Sequence, residues 1–124
     1  MYFNTKGDTS ITYDAIVVGS GISGGWAAKE LCENGLKTLL LERGRMVVHP
    51  NYPPANDDPW DYPNRGYLSK EELSKYAVQR RTGYTLNEST KHWWVNDLEN
   101  PYTENKRFDW IRGYHVGGRS IMWG

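Results

Sequence analysis

The sequence predicts an α/β chain: a βαβ core near the N-terminus, followed by irregular and short-strand insertions, and incomplete as a sheet. Three observations carry this. Two short apolar runs, Ala15–Val18 and Thr38–Leu41, bracket a segment with helical periodicity. A G-x-G-x-x-G turn, formed by Gly19, Gly21 and Gly24, lies between the first run and that segment. Five of the six prolines crowd into residues 44–66, where regular elements must stop.

Residues 1–12 are polar and are expected to be a flexible lead-in. Ala15–Val18 is apolar and β-branched, as suits a parallel strand buried on both faces. Gly19 then allows a tight turn, Gly21 lets the backbone approach a pyrophosphate, and Gly24 lets the helix pack on the strand. The helix opens at Ile22, Ser23 and Gly24, so its first N–H groups and the positive end of its dipole face an anion. Ala27, Ala28, Leu31 and Cys32 are expected to form its apolar stripe, with Cys32 a buried structural thiol. Gly35 suits the helix C-terminus. Glu42 ends the second strand, eighteen residues past Gly24, where a carboxylate can accept hydrogen bonds from ribose hydroxyls.

This strand–turn–helix–strand context makes the core Rossmann-like and dinucleotide-binding. Glu42 would repel a 2′-phosphate, which argues against NADP, although Arg43 beside it weakens that repulsion. FAD and NAD share an unphosphorylated adenosine ribose, so the turn does not separate them.

Lysine plus arginine balance aspartate plus glutamate at 15 each, so no basic field points to nucleic acid or a membrane surface. A single cysteine permits no internal disulfide. No apolar run approaches the ~18 residues of a membrane span, and no export signal is visible, which makes a cytoplasmic location the default. His49, His92 and His115 have no metal-site spacing, and no catalytic pair is evident. His115 is the one histidine near a glycine turn, and a structural role suits it best. Asp57/Asp58 and Glu71/Glu72 are adjacent acids with no sign of a catalytic dyad.

Beyond Glu42, residues 44–66 are expected to be a long ordered loop whose aromatics, Tyr52, Trp60, Tyr62 and Tyr67 just beyond, lie over something flat or apolar, either the domain's own surface or a cofactor. Ser69 to Glu72 read as a capping box opening a helix to about Tyr76. Residues 80–112 alternate polar and aromatic and are expected to form two or three short strands, with turns at Asn100–Pro101 and Glu104–Asn105. Gly117-Gly118-Arg119-Ser120 is a second glycine turn, whose amides can bind an anion or a polar ring edge. Two strands make an unfinished parallel sheet, and the last residues are apolar. The chain is therefore expected to be the N-terminal portion of a larger dinucleotide-binding domain spanning 13–124 here, with the substrate domain absent and no turnover of its own.

Together the two glycine motifs resemble the N-terminal flavin-binding region of the glucose–methanol–choline oxidoreductases. The likeness covers about residues 13–43 and 108–124, and GYHVGGRSIMWG narrows it to the sugar-oxidising branch, similar to pyranose oxidases and glucoside 3-dehydrogenases. The resemblance implies FAD, with its ADP half on Gly19–Gly24 and Glu42, and with Gly117, Gly118 and Ser120 against the pyrophosphate and isoalloxazine. It implies oxidation of a CH–OH group of a sugar or other alcohol, with hydride passing to flavin N5; no electron acceptor is specified. The family's catalytic histidine would lie beyond this chain. Pyranose oxidases attach FAD through a histidine; the matching residue here is Met122, so the resemblance implies non-covalent flavin. The alternatives are an NAD-dependent Rossmann dehydrogenase, which would need regular βα units after Glu42, and a non-catalytic dinucleotide-binding remnant.

Overall fold

The structure, a computed structural model, describes residues 10–48 and 57–122. Most of the expected lead-in, His49, Tyr52, the prolines at 50–54 and the closing Trp123 and Gly124 lie outside the described residues. The chain falls into two compact units, Met1–Glu42 and Arg43–Gly124.

In the first unit, β1 (Ala15–Val18) and β2 (Thr38–Leu41) pair in parallel, from Ala15 opposite Thr38 to Val18 opposite Leu41, joined by α1 (Ile22–Glu33). The ladder is extended by Asp14 N–H donating to Lys37 O at 2.9 Å and Gly19 N–H to Leu41 O at 2.7 Å. Gly35, at φ +83°, closes α1. Leu36 N–H reaches back to Leu31 O and Gly35 N–H to Cys32 O, both at 3.0 Å, which is a Schellman termination.

Burial corrects two expectations here. Gly24, Ala28 and Leu31, spaced four and three residues apart, form the inward stripe of α1, whereas Ala27 and Cys32 are exposed. Each lies about 100° round the helix from an inward neighbour, so Cys32 carries an exposed thiol. In β1, Ala15 and Val17 face inward, but Ile16 and Val18 are 62% and 82% exposed. Among the described residues the strand is covered on one face only, because a two-stranded sheet with one helix supplies one layer.

The second unit contains α2 (Lys70–Lys75) and 3₁₀ turns at Pro63–Gly66, Gln79–Thr85, Lys91–Trp93 and Arg119–Met122. The hydroxyl half of the expected capping box forms, with Glu72 N–H donating to Ser69 Oγ at 3.2 Å. The Glu72 carboxylate turns instead to Lys91 Nζ at 2.5 Å, and this hydrogen bond, ahead of all other influences, holds Glu72 below the usual carboxylate range. Leu68, Leu86 and Trp94 form the core, with Leu73, Tyr76, Trp93, Ile111 and Met122 packed on it.

The expected strands within 80–112 do not form; among the described residues this stretch has 3₁₀ turns and one isolated antiparallel bridge, Trp94 to Gly113. Local side chains capture the backbone groups a ladder would need. Asn87 Oδ1 accepts from Ser89 N–H, Thr90 Oγ1 from Asn87 N–H and Asn96 Oδ1 from Leu98 N–H, each at 3.0 Å. Of the loop aromatics, Tyr62 is half-buried. Trp60 and Tyr67 are mostly exposed.

A buried polar cluster holds the second unit together. Gln79 is fully buried, and Arg112 nearly so. Asp97 Oδ1 accepts from Gln79 Nε2 at 2.7 Å and Arg112 Nη2 at 3.1 Å, and its Oδ2 accepts from Val78 N–H at 2.8 Å. Arg112 also donates to Asn100 O at 2.7 Å, and its backbone N–H to Gln79 Oε1 at 2.8 Å. Its guanidinium lies 5.1 Å from the Tyr102 ring centre and 5.2 Å from that of Trp110.

Candidate functional site

The first glycine turn has the geometry its sequence requires. Gly19 sits at φ +92°, which an L side chain rarely adopts. A Cβ on Gly24 would overlap Gly19 O and lie 3.0 Å from Gly19 C and 3.5 Å from Val17 Cγ1, so the helix approaches the strand as closely as a hydrogen allows. Gly21 precedes α1 in an extended conformation without a side-chain cap, and the first turn has no acidic residue. The helix end thus has no capping side chain of its own, an arrangement that suits a phosphate group there. The side chains of Ile22 and Ser23 point to solvent.

Glu42 stands at the mouth of this turn. Its Oε2 accepts from Ser20 N–H at 2.7 Å and from Ser20 Oγ at 2.5 Å. Glycine turn and strand-end carboxylate are thus brought together within one unit, as a ribose-and-pyrophosphate site needs. Ser20 was not expected to take part. The signal was present as a hydroxyl at the variable position between the first two glycines, but nothing in the spacing paired it with an acid 22 positions on.

The remaining candidates belong to the second unit. The Arg43 guanidinium lies 5.4 Å from the Tyr114 ring centre, in cation–π contact. Gly117 and Gly118 have φ +93° and +68°. A Cβ on Gly117 would overlap the Ile121 side chain. Ser120 Oγ donates to Gly117 O at 3.1 Å and Ile121 N–H to Gly118 O at 3.2 Å, closing the turn on itself. His115 is the strut beneath it. The ring is buried, with Nδ1 3.1 Å from Trp93 O and Nε2 2.9 Å from Gly118 O. Met122 packs on the Leu68 cluster.

His92, two positions before Trp94, is held down to a pKa of about 4, first by burial and then by the positive charge of Arg45 and by His115. Among the described residues no group of three His, Cys, Asp or Glu side chains is placed to hold a metal ion, and no helix is long and apolar enough to cross a membrane.

The chain is similar to a gluconate 2-dehydrogenase flavoprotein of Pantoea cypripedii, 31% identical over 113 residues that make up 89% of this chain and 16% of that protein. Shorter likenesses run to a pseudooxynicotine dehydrogenase of a Pseudomonas species, 53% over 39 residues (31% of this chain, 8% of that protein), and to a long-chain-alcohol oxidase of Arabidopsis thaliana, 51% over 42 residues (34% and 6%). The chain therefore spans 16% or less of the length of these curated relatives. They are oxidoreductases by name, one of them a flavoprotein. No family model matches the chain, and no solved structure does.

Proposed function

We propose that this chain is the FAD-binding, Rossmann-like N-terminal portion of a glucose–methanol–choline-type oxidoreductase that acts on the CH–OH group of a sugar or other alcohol. The observation that carries this is the glycine turn at an uncapped helix end with Glu42 held at its mouth, in a chain similar over most of its length to a flavoprotein dehydrogenase. The amides of Ile22, Ser23 and Gly24 would hold the pyrophosphate, and Glu42 the adenosine ribose. Gly117, Gly118 and Ser120 are the proposed contacts for the flavin half. When bound, FAD supplies the hydride acceptor at N5. The part of this chain is to hold the cofactor and fix its orientation. With Met122 at the position where pyranose oxidases carry their linking histidine, binding is non-covalent.

Titration of the chain with FAD, followed by flavin fluorescence and calorimetry, tests this. Saturable binding that ADP competes away, and that NAD matches only weakly, is the expected result. Glu42→Ala should weaken binding by about 1–3 kcal/mol, the scale of a lost charged hydrogen bond. Equal affinity of the variant would refute the ribose assignment, and absence of FAD binding would refute the proposal.

A further inference from the structure

We infer that Ser20 is a positioning residue for Glu42, and that its hydroxyl sets how strictly the site refuses a 2′-phosphorylated ribose. The inference rests on the proposed dinucleotide site and adds a residue to it. Both donors of Ser20, backbone N–H and hydroxyl, converge on one carboxylate oxygen, at 2.7 and 2.5 Å. A carboxylate has two oxygens with about four lone-pair sites. Two donors on Oε2 fix how the carboxylate is turned.

Two consequences follow. A glutamate loses rotamer freedom when fixed. Ser20 fixes it before the nucleotide arrives, so that cost does not fall on binding. The same two bonds also keep the carboxylate from swinging aside. A 2′-phosphate would then meet a fixed negative charge, and the Ser20 hydroxyl, already donating to Glu42, is not turned toward the phosphate. Without the hydroxyl, the carboxylate is held less firmly and the charge barrier relaxes.

The test is calorimetric affinity for ADP and for its 2′-phosphorylated counterpart, on the full 124-residue chain and on Ser20→Ala, Ser20→Thr, Glu42→Gln and the S20A/E42Q double variant, with a thermal melt of each. The backbone donor survives in S20A, so its ADP affinity should fall only about 3- to 10-fold, the scale of one net hydrogen bond. The preference for ADP over the 2′-phosphate should narrow by a similar factor. Ser20→Thr, which keeps the hydroxyl, should restore both. In the E42Q background S20A should change neither. If S20A melts early, Ser20→Cys replaces it, keeping the volume without the strong donor. Unchanged ADP affinity and unchanged preference in S20A would overturn the inference while leaving the dinucleotide site standing. Equal S20A effects with and without E42Q would do the same. Failure of the unaltered chain to bind ADP would overturn both.

Discussion

Removing the Asp97 carboxylate should unfold the second unit more readily than any surface change. The side chain of Arg112 is 4% exposed and that of Asp97 10%, so neither charge is solvated once its partner is gone. Asp97→Ala strands three donors at once: Arg112 Nη2, Gln79 Nε2 and Val78 N–H. Breaking a buried pair by deleting one partner costs about 3–5 kcal/mol. The contact of Arg112 with Asn100 O and the flanking Tyr102 and Trp110 rings offsets part of this, which favours the lower half of that range. With a urea m-value of about 1.5 kcal/mol/M, the midpoint should drop by about 2–3 M at constant slope. Asp97→Asn keeps the shape and one acceptor but loses the charge, and should fall between wild type and D97A. As a control, the Lys29–Glu33 pair on α1, about half exposed on both sides, should contribute under about 0.5 kcal/mol. A D97A midpoint within about 0.5 M of wild type would mean that the cluster is open to water, and the account of the second unit would be wrong.

Acid should destabilise the second unit through His92. Its folded pKa of about 4 lies below the ordinary 6.5, so between those values the unfolded chain takes up a proton that the folded chain resists, and stability falls as pH is lowered through this window. His92→Asn should flatten the pH dependence of the thermal midpoint between pH 6.5 and 4; an unchanged slope would contradict the assignment. Gly44→Ala should destabilise by at least about 2 kcal/mol, because the added methyl would overlap the His115 backbone and lie 2.6 Å from its Cα, where nothing can flex aside; a neutral thermal shift would count against this packing. Flavin bound to the chain should leave with the supernatant on acid precipitation, and a yellow pellet would contradict non-covalent binding.

The first unit was legible because its determinants are local. Gly19, Gly24 and Gly35 each announce a backbone demand that the structure meets, and in the second unit Ser69 likewise announces a cap. Ala27 and Cys32 fall just outside the inward face of α1, since apolar identity marks a face less sharply than the geometry that orients it. The second unit was largely illegible. Gln79, Asp97 and Arg112 lie far apart in the chain and carry no shared pattern, yet they form its polar centre. The alternation within 80–112 imitated strands, but Asn87, Thr90 and Asn96 bind their own neighbourhood and leave no backbone for a ladder. Ser20 shows the same limit at the site: its partner is set by folding, not spacing.

The short parallel bridge between Arg45 and His115 has a consequence for how this part of the chain tolerates change in length. Arg45 N–H donates to Tyr114 O at 3.3 Å, and Val116 N–H returns to Arg45 O at 3.0 Å, so two points seventy positions apart are clasped backbone to backbone. Everything between them departs from and returns to one clasp. Each doubling of such a loop costs only about 0.6 kcal/mol in closure entropy. Insertions or deletions at its exposed bends, such as the stretch around Glu104, should therefore leave the clasp and the glycine turn after it in place. Changes in length confined to that bend spare both anchored ends and the Leu68, Leu86 and Trp94 core between them.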